Sequence, residues 1–399
     1  MGSGQSMDSL SELERRYDPV IRFRPTGRKI GILITFLLVS MSIYHFYASG
    51  FGLIREWLHR GIHLSFVLSL VFLLFGAHQN RSRGSVKTTW YRIDGIGIWD
   101  IALAITAVAV SLYLPLLPAE IVAHRVGAPS VSDVVMGSLL LVLVLEVTRR
   151  SVGLTMSVIA VVLVLYALFG TYAPGALKHP GASWEGLINH LYMTNQGIYG
   201  VAIGVVAKYV FLFVLFGVLA TRIGLGQLFI DLASVLAGRY AGGPAKVAIF
   251  SSAMLGTISG SSIANTVTTG ALTIPAMKKV GYEPHFAAAV EAASSTGGQI
   301  TPPIMGAAAF IMVEFLEIPY REILLAALVP ATLHYFGIFI MVHLEAKRLG
   351  LRGLSAQEMP KALAVLSKHW LTLAPLLILV YLIISGRSPD FAAVWGIVV

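Results

Sequence analysis

The residues best suited to chemistry fall between Gly256 and Pro303. Gly256-Thr-Ile-Ser-Gly-Ser-Ser-Ile-Ala-Asn-Thr-Val-Thr-Thr-Gly270 is followed by Ser294-Ser-Thr-Gly-Gly-Gln-Ile-Thr-Pro-Pro303. Uncharged hydroxyl, amide and carbonyl oxygens are what a hard cation prefers. Gly and Pro interrupt a helix and release backbone carbonyls and amides. The flanking segments are apolar enough to sit in lipid, where freed backbone is tolerated only if protein or a water-filled cavity receives it. Paired interruptions of this kind are how secondary transporters build their sites, with carbonyls toward a cation and helix N-termini toward an anion. Ser259–Ser262 alone would also suit close helix packing, but the second break at Gly297-Gly298 and Pro302-Pro303 favours a site. The uncharged oxygens clustered around 259–265 and 298–301 are therefore expected to coordinate a cation.

Glu291 lies on the helix leading into the second break. A carboxylate within an apolar span is costly and is by default a functional residue, often in a proton relay. The alternative is an internal ion pair, for which Lys208, inside another apolar run, is the available cation. A different chemistry, an intramembrane hydrolase with a nucleophile from Ser259–Ser262, needs a base within hydrogen-bond reach. His285 and His334 belong to other segments, and neither is an obvious base by sequence. No His/Asp/Glu cluster has metal-ligand spacing, and the chain has no cysteine for a thiolate nucleophile or a disulfide.

These residues must be positioned by membrane-spanning helices. Charged residues make up 12% of the chain and hydrophobic ones 56%, whereas a soluble domain carries about a quarter charged residues. The net charge of +9 reads as loop lysines and arginines between apolar runs rather than a nucleic-acid surface. Runs near the ~20 residues that span a bilayer lie at 30–48, 61–77, 98–117, 131–147, 153–172 and 199–220. The polar segment 1–29 ahead of them lacks the short apolar core and cleavage site of a secretory signal. Lys and Arg concentrate in the N-terminal segment, in the loop with Arg81, Arg83, Lys87 and Arg92, and at Arg149-Arg150. That bias places the N-terminus in the cytoplasm. Residues 173–198 read as a polar connection on the outer surface. Leu225, Leu228, Phe229, Leu232 and Leu236 recur at helical spacing, as in a helix lying in the interface plane. Residues 245–275 then read as a re-entrant hairpin, 284–316 as a broken helix, 323–344 as a span, and 355–384 as an arm and a further span. The apolar run Phe391–Val399 stops without a polar flank, as expected of a piece cut from a longer protein.

Three motifs, Ser259-Gly-Ser-Ser262, Pro275-Ala-Met-Lys-Lys-Val-Gly-Tyr282 and the Gly297-Gly298 to Pro302-Pro303 break, resemble the large membrane subunit of tripartite ATP-independent periplasmic (TRAP) transporters. Residues 30–172 resemble a fused small-subunit scaffold, as in the branch served by TAXI-type binding proteins, and 199–399 the N-terminal half of the large subunit. The resemblance implies an all-α polytopic inner-membrane permease of elevator type with no cofactor. It would take up an organic acid delivered by a periplasmic TAXI-type protein, driven by Na+ or H+. The family motifs map onto Ser259, Gly260, Ser261, Ser262, Asn265, Gly298, Thr301 and Pro302, with Ser261, Thr301 and Pro302 toward the substrate. Glu291 departs from the small or apolar residue expected in sodium-coupled relatives, which leaves the coupling ion open.

Overall fold

The computed structural model describes residues 23–24, 26–52, 54–77, 92–355 and 359–399. Arg15, Arg16 and Arg22 of the expected cytoplasmic segment, and Arg81, Arg83 and Lys87 of the basic loop, lie outside them. Among the described residues the only strands form one two-stranded ribbon, and seven helices are long and apolar enough to cross a membrane. The protein is an all-α polytopic membrane protein. It divides into two compact units: the described residues up to Tyr44 with those of Leu53–Gly204, and His45–Gly52 with Val205–Val399.

The first unit contains most of α1 (Arg28–Phe51), then α2 (Glu56–Leu74), α3 (Ile98–Leu116), α4 (Ala119–Arg125), α5 (Val131–Ser151), α6 (Leu154–Phe169) and α7 (Trp184–Met193). Each expected span is found with limits shifted by a few residues, because each is a continuous apolar run between polar or Gly/Pro flanks. Strands β1 (Arg92–Ile93) and β2 (Ile96–Gly97) pair antiparallel, with Ile93 opposite Ile96. The Asp94-Gly95 turn between them has positive φ at both residues, the geometry that matches strand twist in a tight hairpin. Asp94 Oδ2 then accepts from the amides of Lys29 and Ile30 at 2.8 and 3.1 Å, capping the start of α1.

One charged network ties the ends of α2, α3 and α5 together. Asp100 at the start of α3 accepts from Arg24 and from Arg150, each at 2.7 Å, and Arg150 also bonds Glu146 at 2.6 Å. Arg24 donates to the Phe72 and Phe75 carbonyls at 2.6 and 2.5 Å, so cations cover the carbonyl end of α2, where the helix dipole favours them. The 173–198 connection is more than a surface strip. Its α7 buries Leu187, Ile188, Tyr192 and Met193, and Tyr192 donates to the Val110 carbonyl at 3.0 Å. Apolar pairs one turn apart, Leu187-Ile188 and Leu191-Tyr192, give α7 a packing stripe despite its polar neighbours. A Cβ at Gly137 of α5 would lie 2.5 Å from Ile188 Cγ2, so the small residue admits α7.

The second unit holds α8 (Val201–Arg222) from Val205 onward, α9 (Leu225–Ala237), α10 (Gly243–Ser259), α11 (Ser262–Lys279), α12 (Pro284–Gly297), α13 (Ala307–Leu316), α14 (Tyr320–Arg348), α15 (Ala362–His369), α16 (Ala374–Ile384) and α17 (Pro389–Val398). In α9 the buried stripe runs through Leu225, Leu228 and Phe229 but continues through Ala233 and Ala237, while Leu236 is exposed. The alanines pack with Val247 of α10, where a leucine would hold the helices apart. Small residues serve the same end in the core of α10, α12 and α14, which includes Ala245, Ala248, Ala287 and Ala346. Phe310 of α13 stacks on Tyr209, Phe213 and Tyr320 at centroid distances of 5.6, 4.9 and 4.9 Å.

Candidate functional site

The site forms where the hairpin of α10 and α11 meets the break between α12 and α13. α10 stops because Gly260 takes a left-handed conformation, φ +56°, its amide bonding the Gly256 carbonyl at 3.2 Å. A Cβ on Gly260 would lie 2.0 Å from the Met305 carbonyl oxygen, so contact as well as conformation requires glycine. Ser261 begins α11, its hydroxyl accepting from the Ala264 amide at 3.3 Å. α12 ends at Gly297-Gly298, and the chain passes through the cis Pro302–Pro303 peptide before α13 begins.

Backbone meets backbone at the crossing. A Cβ on Gly256 would stand 2.5 Å from Gly298 Cα, and one on Gly298 2.8 Å from Gly256 Cα. The break is tied to the hairpin by the Ile304 amide on the Thr257 carbonyl at 3.2 Å, and to α14 by Tyr320, whose hydroxyl bonds the Pro303 and Ile304 carbonyls at 2.8 and 2.6 Å. Among the described residues, Ser259 Oγ and Asn265 Oδ1 are buried without a hydrogen-bond partner, and Asn265 Nδ2, which lies at the crossing, donates to the Ser252 carbonyl at 2.8 Å. Ser262 Oγ accepts from Gln299 Nε2 at 3.1 Å. Thr301 Oγ1 donates to the Gly297 carbonyl at 2.6 Å and lies 3.2 Å from the Tyr335 hydroxyl. The structure therefore brings Gly260, Ser262 and Asn265 of the hairpin against the break, beside Met305, Gln299 and Gly298, whereas Thr301 is bonded to the Gly297 carbonyl and Tyr335, and no contact of Ser259, Ser261 or Pro302 across the crossing is seen among the described residues. Such an assembly offers uncharged oxygens to a cation and the N-terminus of α11 to an anion.

Glu291 lies beside this crossing, fully buried. Hydroxyls surround its carboxylate: Thr269 and Ser252 on Oε1, Ser295 also on Oε1, and Thr273 on Oε2. Gly270 leaves it room, since a Cβ there would be 3.1 Å from Glu291 Cγ. The Lys208 partnership is not formed. Lys208 sits in a π-helical turn of α8 with its Nζ 5.0 Å from the Tyr209 ring, and the acidic groups near it are Asp390 and Glu314. The reason is tertiary placement: Lys208 lies near Asp390 and Glu314, and Glu291 faces the threonines of α11 instead.

Neither candidate histidine serves the serines. His334 Nε2 bonds the Ala293 carbonyl at 3.0 Å, and His285 lies 3.3 Å from Glu283. At the turn after α11, burial pushes the Tyr282 phenol up to about 12, which keeps it neutral. Sequence reasoning missed Ser252, Thr273 and Tyr335, and gave Gly256, Thr269 and Gln299 no role of their own within the two polar stretches. Thr269 and Thr273 carried a usable signal, hydroxyls one turn apart on the helix adjoining Glu291; Gly256 and Tyr335 act through tertiary contacts that no local pattern shows.

A family model described as the DctM component of tripartite ATP-independent periplasmic transporters matches residues 139–399, well over half of the chain. The chain belongs to this TRAP permease family. The match begins within α5, upstream of residue 199, where the large-subunit part was expected to start. Similar proteins include the uncharacterized protein y4mL of Sinorhizobium fredii, 29% identical over 47% of this chain and 44% of its own length. The sialic acid TRAP transporter permease protein SiaT of Haemophilus influenzae is 27% identical over 46% of this chain and 29% of its own length. The sialic acid TRAP transporter large permease protein SiaM of Vibrio cholerae is 28% identical over 45% and 42%. The chain thus spans less than half the length of these TRAP relatives.

Proposed function

We propose that this TRAP permease chain carries a small organic acid inward across the bacterial inner membrane, driven by a Na+ or H+ gradient, after delivery by a periplasmic binding protein of TAXI type. The observation that carries this reading is the glycine-on-glycine crossing of two interrupted helices with Asn265 beside it, Asn265 Oδ1 and the nearby Ser259 Oγ being buried without a partner among the described residues. A buried polar atom without a partner is costly, and a transported cation held by Ser259, Gly260, Ser262, Asn265, Gly298 and Thr301 removes that cost. Ser261, Thr301 and Pro302, with the amides that open α11, receive the acid's carboxylate. The hairpin and broken helix travel together as an elevator, residues 30–172 act as a static small-subunit scaffold, and the N-terminus lies in the cytoplasm. A serine hydrolase is not supported, since neither His334 nor His285 bonds a serine of Ser259–Ser262.

Uptake of a panel of radiolabelled carboxylates by the full-length permease, reconstituted in proteoliposomes with its binding protein, tests this. Ser261→Leu and Thr301→Leu are expected to abolish ion-driven uptake while the melting temperature stays near wild type. Undiminished uptake in both variants would sink the site assignment.

A further inference from the structure

We propose that Glu291 binds and releases a proton in each transport cycle, through a hydroxyl cage that satisfies both of its protonation states; this rests on the transport reading above. The Thr269 hydroxyl reaches Glu291 Oε1 and also its own i−4 carbonyl, Asn265 O, at 2.9 Å. The Thr273 hydroxyl reaches Oε2 and likewise the Thr269 carbonyl at 3.0 Å. Each hydroxyl has one proton to give and lone pairs to receive with. When the carboxylate is ionised, both threonines turn their protons onto it, and Ser252 and Ser295 add donors to Oε1 at 3.1 and 3.2 Å. When Oε2 is protonated it donates to Thr273 Oγ1, whose own proton turns to the Thr269 carbonyl. Thr269 can then turn to Asn265 O, while Oε1 keeps the two serines. The exchange rotates hydroxyls only and moves no backbone atom.

No cation competes for this carboxylate among the described residues. Its hydrogen bonds all come from hydroxyls, and the titratable side chains on the helices packed around it have other placements. Lys246 of α10 bonds His343 of α14 at 3.0 Å, His334 bonds the Ala293 carbonyl, and Tyr335 lies against Thr301. Lys278 and Lys279 close α11, and Glu283 and His285 pair at the start of α12. A buried carboxylate lacking a paired cation needs another positive charge to offset its burial, and the cage supplies acceptors for a proton. The state of that proton is also felt at the crossing. Asn265 is tied to the cage twice, by its carbonyl on Thr269 and by its Nδ2 on the Ser252 carbonyl, and that same Nδ2 lies against the crossing, where a Cβ on Gly298 would be 3.4 Å from it.

The test is an acid-minus-alkaline infrared difference spectrum of the full-length permease in lipid nanodiscs, read at the protonated-carboxyl C=O stretch. It is joined to uptake of the carboxylate panel under an imposed pH gradient and, separately, under a Na+ gradient. Wild type should show a carboxyl band that Glu291→Gln lacks and that Thr273→Val shifts, because the valine keeps the shape and removes the partner of Oε2. Glu291→Gln should also lose all stimulation by the pH gradient. A band unchanged in both variants overturns the proton site. So does uptake by Glu291→Gln that the pH gradient stimulates as in wild type, and that result leaves the transport reading intact. A Glu291-dependent band with no uptake of any acid would support the proton site while refuting the transport reading. If Glu291→Gln does not fold, the shift in Thr273→Val decides alone.

Discussion

The two units differ in how they hold their carboxylates. In the first, ion pairs hold the carboxylates and their arginines in place, with Asp100 between Arg24 and Arg150, Arg60 on Glu56 and on the Tyr199 carbonyl, and Asp133 with Ser130, Tyr113 and Arg125, alongside buried serines such as Ser69 and Ser111. In the second, the buried groups of the crossing are hydroxyls, an amide and one carboxylate without a cation. Paired charges with hydrogen bonds on each side have one good arrangement, so they fix a frame. Hydroxyls that reach two acceptors have several, so they suit a region that must change state.

The largest expected effect lies in the frame. Asp100→Ala leaves Arg24 and Arg150 nearly buried without their shared carboxylate, and removing one partner of such a pair costs about 3–5 kcal/mol. Thermal unfolding of the purified full-length protein should register a large drop in melting temperature, with Asp100→Asn intermediate. If Asp100→Ala melts like wild type, the first unit is not held by its ion pairs and the contrast between the units fails.

The next effect separates contact from conformation at the crossing. Gly256→Ala places a methyl 2.5 Å from Gly298 Cα, a backbone atom that cannot swing aside. Overpacking of this kind costs about 1–3 kcal/mol, and uptake should fall further than stability does, because the break itself is displaced. Gly337→Ala, whose Cβ meets nothing within 4 Å on α14, is the control and should leave both measurements near wild type. Equal behaviour of the two alanines would mean that the crossing tolerates separation.

Much of this was legible in the sequence, for identifiable reasons. Span positions followed from apolar length, and the hairpin and break followed from Gly and Pro inside apolar runs. Family membership rested on the residues at those breaks. The limits appear where tertiary contact decides. The stripe of α9 passes through Ala233 and Ala237 because α10 comes close, which favours the small residue over Leu236. The segment 173–198 looked like a strip on the surface because its polar residues outnumber the apolar pairs that seat α7. Lys208 was the available partner for Glu291 by composition, yet pairing depends on tertiary placement, which sets Lys208 near Asp390 and Glu314 and leaves no mark in the local pattern.

The smallest effect compares one chemistry in both units. Ser130 caps α5, its hydroxyl accepting from the Asp133 amide at 3.3 Å while Asp133 Oδ2 accepts from the Ser130 amide at 2.8 Å. Ser261 caps α11 through the Ala264 amide, also at 3.3 Å. Replacing such a cap by alanine costs about 1 kcal/mol, and Ser130→Ala also removes a donor to Asp133 Oδ2, so it should lower the melting temperature somewhat more than Ser261→Ala does. Their effects on uptake should part. Ser130 starts a helix of the frame and donates to the buried Asp133 Oδ2 at 2.6 Å, whereas Ser261 opens α11 one residue after the Gly260 break, beside Ser262 and its Gln299 partner. Ser261→Ala should therefore reduce uptake and weaken its ion dependence, and Ser130→Ala should leave both intact. Matching losses of uptake would show that transport tracks stability in both units alike, and the division between a fixed frame and a switchable crossing would have to be given up.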